Sequence, residues 1–266
     1  MRPLTLRNIL QALFLLSWSV VWISIAFVAT LLTFNRNTAL VLARRCWAPG
    51  LLWGAQADFR VEPNPNIDWK TPHIYAMNHQ SMLDIVCAFA GLPVNIRFVA
   101  KHSLAYVPFL GWYMWLTGMV FINRSNRFKA VESLKLAGKR IREGANIIAY
   151  PEGTRTVDGK VQPFKKGPFV LAIEAGVPIV PVAIEGSHQA LPTGGFRLRP
   201  RVIRMKLGAP IPTVGRAPGE RDALLREVRD AIIQLNLELG GCGGDANAVA
   251  AAGQEGNAPA LVPSQR

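Results

Sequence analysis

The feature that most constrains this chain is an uncharged segment near its amino terminus. No Asp, Glu, Lys, Arg or His lies between Arg7 and Arg36. The segment is longer than the roughly 20 apolar residues that cross the hydrocarbon core of a bilayer. It is apolar around its whole circumference, which argues against an amphipathic surface helix with one wet face. We therefore predict that it enters a membrane; the alternative is a buried helix in the core of a water-soluble domain.

The flanking sequence argues against removal of this segment as a signal peptide. The apolar part of a signal peptide is only about 7–15 residues long and is followed by a cleavage site of small residues. The sequence that follows here, TFNRNTALVLARR at residues 33–45, contains no such site. We therefore expect the segment to act as a membrane anchor.

A second apolar stretch, residues 38–57, contains Arg44 and Arg45 and carries the sequence WAPGLLWGA near its end. This mixture of apolar and basic residues is typical of a helix that lies in the membrane interface. Trp47 and Trp53 would then lie at the depth of the headgroups, where tryptophan is enriched. Residues 1–57 as a whole are predicted to form the membrane anchor.

Basic residues at both ends of the long apolar segment indicate its orientation. Arg2 and Arg7 precede the segment, and Arg36 follows it. Because positive residues near membrane segments favour the cytoplasmic side, both ends are expected there. A helical hairpin that dips into one leaflet satisfies this condition, and a single span is the alternative. We predict a protein of the inner (cytoplasmic) membrane whose remaining domain faces the cytoplasm.

The charge of the chain indicates an anionic partner. Lys and Arg number 30 against 17 Asp and Glu, which gives a net charge of +13. Charge alone does not separate nucleic acid from acidic lipid, but the membrane segment favours an anionic membrane surface and no nucleic acid. The three cysteines, at positions 46, 87 and 242, are far apart and lack the spacing of a zinc site. We expect a reduced protein without a metal or a cofactor.

Beyond residue 57, short apolar runs alternate with helical patterns. The runs predicted as strands are HIYAM, IRFVA, MVFIN, NIIAY, IVPVAIEG and VIRMKL. Helices are predicted at residues 82–90, 127–142, 168–175 and 218–239. This alternation is typical of an α/β domain with a largely parallel central sheet flanked by helices. We assign the domain to residues 58–239 and predict a disordered tail at 240–266, which is rich in Gly and Ala.

The stretch YAMNHQSMLD, residues 75–84, places one histidine five residues before one aspartate. His79 ends the first predicted strand and Asp84 lies in the first turn of the next helix, where sites form in open α/β sheets. Asp84 could hold one imidazole nitrogen while the other accepts a proton from a substrate hydroxyl. The competing interpretation is a capping box from Ser81 to Asp84, in which Asp84 only satisfies the amino terminus of the helix.

Arginines follow two further predicted strands. Arg155 ends the sequence YPEGTR, which follows the run NIIA, and Arg124 lies in FINRSNR. A guanidinium group is forked and always charged, so both arginines suit a phosphate group. The alternative interpretation of YPEGTR is an ordinary Pro-Glu-Gly turn with a surface arginine.

Four stretches in this order, NHQSMLD, GMVFINR, YPEGTR and VPIVPVAI, resemble the four sequence blocks of the glycerolipid acyltransferases. They are most similar to the blocks of the 1-acyl-sn-glycerol-3-phosphate (lysophosphatidic acid) acyltransferases, and the resemblance covers residues 74–208. Four ordered blocks are far more specific than one histidine-aspartate spacing. The resemblance implies acyl transfer from acyl-CoA or acyl-carrier protein to the free hydroxyl of a lysophospholipid acceptor, with phosphatidic acid as the product.

The resemblance also implies roles for individual residues. His79 matches the general base and Asp84 its charge-stabilising partner. The residues matched to phosphate binding and organisation of the site are Arg124, Glu152, Gly153, Thr154 and Arg155. The residues expected to shape or position the pocket are Asn78, Ser81 and Pro181. Ser81 is in addition a candidate oxyanion donor, and Pro181 is alternatively a residue of a strand edge.

Departures from the commonest form of the blocks leave the acceptor open. Met82, Asn123 and Tyr150 differ from the residues that are frequent at these positions in the family. A lyso-ornithine lipid or another lysolipid is the alternative acceptor. A membrane lipid-binding protein without turnover is the alternative from a different functional class, and the basic stretch FRLRPRVIRMK would suit it.

Overall fold

The computed structural model describes residues 5–122 and 127–244, and for residues 127–132 and 134 it describes the backbone alone. These residues fold into an amino-terminal helical hairpin and an α/β domain. The elements of the hairpin are α1 (Leu6–Thr33), α2 (Arg36–Leu42), a π-helical turn (Ala43–Trp47) and α3 (Ala48–Ala55).

The described part of the α/β domain contains seven strands and six helices. The strands are β1 (Ala57–Glu62), β2 (Ile74–Met77), β3 (Ile96–Lys101), β4 (Val120–Ile122), β5 (Asn146–Ala149), β6 (Ile179–Glu185) and β7 (Arg201–Leu207). The helices are α4 (Leu83–Gly91), α5 (Leu110–Leu116), α6 (Arg127–Arg142), α7 (Gly167–Ala175), α8 (Ser187–Ala190) and α9 (Arg221–Glu238). Short 3₁₀ turns lie at His102–Tyr106 and Pro218–Glu220.

The strands form one sheet in the order β1-β7-β6-β2-β5-β3-β4. Every neighbouring pair is parallel except β6 and β7. This arrangement confirms the predicted α/β fold with a largely parallel sheet. Three elements of the α/β domain were not predicted: strand β1 and the short helices α5 and α8, which have seven and four residues.

The central strand β2 buries alternate residues on the two faces of the sheet. Tyr75 and Met77 belong to a core shared with the hairpin and α4, whereas Ile74 and Ala76 belong to a core shared with α6, α7 and α9. Leu40 of the hairpin is completely buried in the first core, and a buried leucine contributes about 1.5–3 kcal/mol. The hairpin is therefore part of the folded unit and not a detachable tether.

The two arms of the hairpin approach each other closely where the second arm has glycine. A Cβ atom added at Gly50 would lie 2.3 Å from the ring of Trp18. The indole Nε1 of Trp18 donates to the carbonyl of Trp47 at 3.1 Å, and Nε1 of Trp47 donates to Ser19 Oγ at 3.1 Å. These bonds satisfy the polar atoms of both tryptophans inside an apolar interface.

Both ends of the hairpin contact the α/β domain. Near the start of α1, the Asn8 side chain donates to the carbonyl of Leu198 at 3.2 Å. Near the turn between α1 and α2, Arg97 donates to Asn37 Oδ1 at 3.0 Å. Helix α1 has 28 residues, a mean hydropathy of 2.2 and the length to cross a membrane. The start of α1 and the start of α2 both lie against the domain; whether α1 spans a membrane or enters one leaflet as part of the hairpin stays a prediction.

The predicted tail begins at residue 240, but its first residues bond to the domain. The N–H of Gly243 donates to Asn236 Oδ1 at 2.9 Å, and Val161 donates to the Gly243 carbonyl at 2.8 Å. Residues 245–266, the larger part of the predicted tail, lie outside the described residues.

The exposed apolar face of α1 generates a prediction about membrane binding. Leu13 and Leu16 are 58% and 65% exposed, so replacing both with lysine should leave the core intact. Lysine in place of leucine near the bilayer centre costs about 3 kcal/mol per residue. We expect the double variant to be released from lipid vesicles in a flotation assay. The same change at Leu136 and Leu237, which are exposed on α6 and α9, is the matched control and should not release the protein. Equal retention of both double variants would contradict a membrane role for α1.

Candidate active site

Three adjacent strands end at the same edge of the sheet. β5, β2 and β6 are parallel neighbours, and the loops after such strands converge at their carboxyl ends. There β2 leads to His79, β5 leads to the segment 150–155, and β6 leads to Ser187. The fold therefore brings His79 together with two segments that lie more than 70 residues after it along the chain.

His79 and Asp84 form a hydrogen-bonded pair. Nδ1 of His79 lies 2.8 Å from Asp84 Oδ2, and the side chains are 14% and 0% exposed, respectively. A carboxylate only accepts hydrogen bonds, so Nδ1 carries a proton in this pair. No hydrogen bond joins Nε2 to a residue that the structure describes. In the neutral ring, Nε2 is then the nitrogen with a free lone pair.

The Asp84 carboxylate accepts three hydrogen bonds besides that of His79. Oδ2 accepts from the backbone N–H groups of Gln80 at 2.6 Å and Ser81 at 2.8 Å, and Oδ1 accepts from the Ser187 hydroxyl at 2.5 Å. The bond from the Ser81 N–H is the one that a capping-box acid makes. The pairing with His79 and the capping of the helix are therefore functions of one side chain and not alternatives.

The imidazole of His79 stacks on the ring of Tyr150. The ring centroids are 4.1 Å apart and the planes are inclined by 22°. Burial, reinforced by the charge of Asp84, raises the pKa of Tyr150 well above its usual value, so this ring remains a neutral phenol. The stacking and the bond to Asp84 together restrict both the tilt and the rotation of the His79 ring.

Two hydrogen bonds attach the loop after β5 to the backbone of His79. The N–H of His79 donates to Glu152 Oε1 at 2.9 Å, and the N–H of Thr156 donates to the His79 carbonyl at 2.9 Å. Gly153 adopts a φ of 76° and donates to the Tyr150 carbonyl at 3.0 Å, which closes the predicted Pro-Glu-Gly turn. The segment YPEGTR therefore forms the predicted turn and also holds the backbone of His79, so the two interpretations are not alternatives.

Glu152 lies inside the protein and not at a phosphate position. Its residue is 4% exposed, and burial raises its pKa to about 8. A buried carboxyl that bonds to the His79 N–H holds the backbone in place, whereas an ionised carboxylate would repel a phosphate. The structure thus corrects the grouping of Glu152 with phosphate ligands.

The other residues of this block remain accessible. Thr154 and Arg155 are exposed, and the Arg155 guanidinium bonds to no residue of the described chain. Arg155 is adjacent to Thr156, whose N–H bonds to the His79 carbonyl, so its backbone lies beside the histidine. Arg124, the second predicted phosphate ligand, lies outside the described residues.

Asn78 and Ser81 are buried and make structural hydrogen bonds. The Asn78 amide donates to the Ile184 carbonyl at 3.0 Å and accepts from the Ile184 N–H at 2.8 Å, which joins the end of β2 to β6. The Ser81 hydroxyl donates to the Leu191 carbonyl at 2.8 Å. Because this single donor is already used in a fully buried position, the prediction that the Ser81 side chain stabilises an oxyanion is wrong.

Pro181 lies in β6, which has neighbours on both sides, so the interpretation as a strand-edge residue is wrong. Val182 pairs with Leu207, but Ile179 pairs with Ile211, so the partner segment has one extra residue between these pairs. Such a β-bulge accommodates a proline inside a sheet because the ladder is already interrupted. The pocket-shaping role of Pro181 stays a prediction.

Two polar residues beside Asp84 were not identified from the sequence. Ser187 donates to Asp84, and the Gln80 side chain lies 3.4 Å from the Ser187 hydroxyl while donating to Glu185 Oε2 at 2.8 Å. One sequence signal could have found Ser187. It follows the end of the predicted strand IVPVAIEG, in the same position relative to β6 that His79 occupies relative to β2.

Comparison with known proteins places this arrangement in a family. The family model described as Acyltransferase matches residues 58–185, which include His79, Asp84 and Arg155. A 1-acyl-sn-glycerol-3-phosphate acyltransferase of Saccharomyces cerevisiae is 31% identical over 239 residues, which cover 88% of this chain and 78% of the yeast protein. A chloroplastic protein of that name from Brassica napus is 39% identical over 134 residues, or 50% of this chain.

The chain spans only part of several relatives, namely 38% of the Brassica napus protein and 48% of a Chlamydomonas reinhardtii protein. The fold is also similar to the crystal structure of the 1-acyl-sn-glycerophosphate (LPA) acyltransferase, PlsC, from Thermotoga maritima, with a TM-score of 0.77 and 28% identity. That match covers 88% of this chain and 96% of the other. Because the yeast relative is 31% identical over 78% of its own length and the family model matches residues 58–185, this chain belongs to the acyltransferase family.

Proposed function

We propose that this protein transfers an acyl group from acyl-CoA or acyl-carrier protein to the free hydroxyl of 1-acyl-sn-glycerol-3-phosphate and forms phosphatidic acid for phospholipid biosynthesis. The observation that carries the proposal is the His79 imidazole, whose Nδ1 is held at 2.8 Å by Asp84 while Nε2 has no described partner. The names of the yeast and Brassica relatives support the choice of acceptor.

In the proposed reaction, Nε2 of His79 accepts the proton of the acceptor hydroxyl while the hydroxyl oxygen attacks the thioester carbonyl. A new ester C–O bond forms, and the C–S bond breaks when the tetrahedral intermediate collapses. The proton then passes from His79 to the departing thiolate, which leaves as the free thiol of CoA or of the carrier protein. The negative charge of Asp84 stabilises the imidazolium between these two proton transfers. The scheme requires only side chains and the two substrates, without a metal or a resident cofactor.

The exposed guanidinium of Arg155 is the proposed ligand of the acceptor's phosphate. Its loop is tied to the backbone of His79 by the bonds of Glu152 and Thr156, so a phosphate held there has a defined position relative to Nε2. Such alignment of the hydroxyl with its base lowers the entropic cost of the reaction. We assign the same role to Arg124, and assign Gly153 and Thr154 to the loop that presents Arg155.

The hairpin determines where the proposed reaction takes place. Acceptor and product are both lipids, and α1 exposes a long row of large apolar side chains that includes Leu10, Leu13 and Leu16. We propose that this face enters the cytoplasmic leaflet of the inner membrane. The positive charge of the chain favours an anionic bilayer surface, and the donor reaches the domain from the cytoplasm.

A direct test is product formation by the purified protein. Incubation with lysophosphatidic acid and acyl-CoA, and in parallel with acyl-carrier protein, should yield phosphatidic acid detectable by mass spectrometry. His79→Ala should lower kcat by about 10²–10⁴-fold because it removes the general base. Acylation of a lyso-ornithine lipid in preference to lysophosphatidic acid would redirect the acceptor assignment. A folded His79→Ala variant with the wild-type rate at saturating substrates would contradict the mechanism.

Asp84→Asn separates the charge of this side chain from its capping function. Asparagine keeps an oxygen for His79 and the two backbone N–H groups and can turn its amide nitrogen toward Ser187, but it lacks the negative charge. We expect kcat to fall by about 10²–10⁴-fold, and stability to fall by about 1–3 kcal/mol since four bonds to a charged acceptor are weakened. Turnover and thermal unfolding should be measured on the same preparation. A capping function alone would leave kcat near normal.

Ser187→Ala is the matched control for that experiment. It removes one hydrogen bond to Asp84 Oδ1 but keeps the charge and the bond to His79. We therefore expect a loss in kcat of at most about tenfold, from a less firmly held carboxylate. A larger loss for Ser187→Ala than for Asp84→Asn would show that the charge is not the dominant contribution.

A further inference from the structure

A polar cavity of about 430 Å³ lies where the hairpin meets the α/β domain. Its volume falls within the range of small-molecule sites. Asn37 and Arg44 of the hairpin form one wall, and Arg97, Arg140 and Lys70 of the domain line the remainder. Nothing in the proposed acyl transfer uses these residues.

The cavity lies at the opposite edge of the sheet from His79. It is lined by Asn146, the first residue of β5, whereas Tyr150, which follows the same strand, stacks on His79. Four residues of extended chain separate these two positions by about 13 Å. The cavity is therefore distinct from the candidate active site.

Positive charge in the cavity has little negative charge to balance it. Four basic side chains, those of Arg44, Lys70, Arg97 and Arg140, face a single acidic lining residue, Glu143, among the described residues. Glu143 also pairs with Lys139, at 3.9 Å, and its side chain is largely exposed to solvent. Its charge therefore balances the four basic side chains only in part. Burial, together with the charges of Arg140 and Arg36, lowers the pKa of Arg97. The like charges are thus close enough to destabilise each other.

Several guanidinium N–H groups in the cavity lack acceptors. Nε of Arg140 and Nε of Arg44 are buried without a hydrogen-bond partner, and the Arg140 guanidinium bonds to no other residue in the described ranges. Arg97 uses Nε for the Thr117 carbonyl and Nη2 for Asn37. Buried donors without acceptors cost about 1–3 kcal/mol each, and more when they are charged.

We propose that this cavity binds a phosphate group, donated either by the headgroup of an anionic lipid or by a soluble phosphate. Arg44 also donates to the Pro93 carbonyl, so the acceptors missing in the cavity are those for Nε of Arg44 and Nε of Arg140. A phosphate supplies such acceptors together with the missing negative charge, and guanidinium groups bind it through forked hydrogen bonds. Two walls belong to different parts of the fold, since Arg44 lies on the hairpin and Arg140 on α6. Occupation of the cavity would therefore stabilise the packing of the membrane anchor on the domain.

The test is ligand-induced thermal stabilisation of the full-length protein in detergent. The probes are inorganic phosphate, compared with chloride at equal ionic strength, and dihexanoyl phosphatidic acid as a soluble lipid headgroup. All proteins carry Arg155→Gln, which removes one of the two proposed phosphate ligands of the active site, so that the response is read from the difference that Arg140→Gln makes in this background. A ligand that binds only the folded state stabilises it by RT ln(1 + [L]/Kd), so the unfolding temperature rises with the probe concentration relative to the dissociation constant. Arg140→Gln should shift the response to about tenfold higher probe concentration or more.

Arg226→Gln is the control, because Arg226 is an exposed arginine of α9 away from the cavity; its response should equal that of the Arg155→Gln background. Without a probe, Arg140→Gln should unfold at the same or a higher temperature, since the repulsion of Arg97 is relieved. With Arg155 restored, Arg140→Gln should keep basal acyl transfer within about twofold.

A response to phosphatidic acid at lower concentration than to inorganic phosphate identifies a lipid source, and the reverse order identifies a soluble one.

Equal responses of the Arg140→Gln and Arg226→Gln proteins to both probes would overturn the proposal. So would the lack of any stabilisation in the Arg155→Gln background. The inference does not depend on acyl transfer, because a protein without turnover could still show a phosphate response that requires Arg140. Failure of the proposed function and failure of the phosphate site are therefore separate outcomes.

Discussion

The Asp84 carboxylate is the interaction on which the candidate site depends. It accepts hydrogen bonds from His79, from the N–H groups of Gln80 and Ser81, and from Ser187, and it is fully buried. Burial of a carboxylate without partners costs several kcal/mol, and these four donors offset that cost. The turn after β2, the start of α4 and the start of α8 are thereby fixed around the same group that orients the imidazole. Local folding and the proposed chemistry consequently share one side chain.

The parts of this site that were predictable from the sequence are those encoded by neighbouring residues. His79 and Asp84 are five positions apart, and the strands around them are continuous apolar runs, so both the pair and the fold class follow from local patterns. Ser187 and the stacking of Tyr150 depend on β6 and β5 lying on either side of β2, and strand order is not a local property of sequence. Glu152 was misassigned for a related reason: its residue type indicates charge, but only the packed structure shows its burial.

Direct packing connects the hairpin, which carries the long apolar helix α1, to the candidate active site. Trp47 of the hairpin packs edge-on against Phe89 of α4 at a centroid distance of 5.7 Å, and the first turn of α4 contains Asp84. The sequence predicted an apolar anchor but not this shared core, because the relevant contacts join helices that are distant in the chain. The packing fixes the position of α1 relative to the sheet, which suits an enzyme whose proposed acceptor and product are lipids.

The central claim is that Asp84 holds the His79 ring with its proton on Nδ1 and leaves Nε2 as the base. The most direct measurement is the tautomer of His79 by long-range ¹H–¹⁵N NMR of ¹⁵N-histidine-labelled protein at a pH where the ring is neutral. The chain has four histidines, and the spectrum of His79→Ala identifies the signal that belongs to His79. The account predicts a protonated Nδ1 and an unprotonated Nε2. A neutral ring that carries its proton on Nε2 would contradict it, since that nitrogen could then accept no proton from the acceptor hydroxyl.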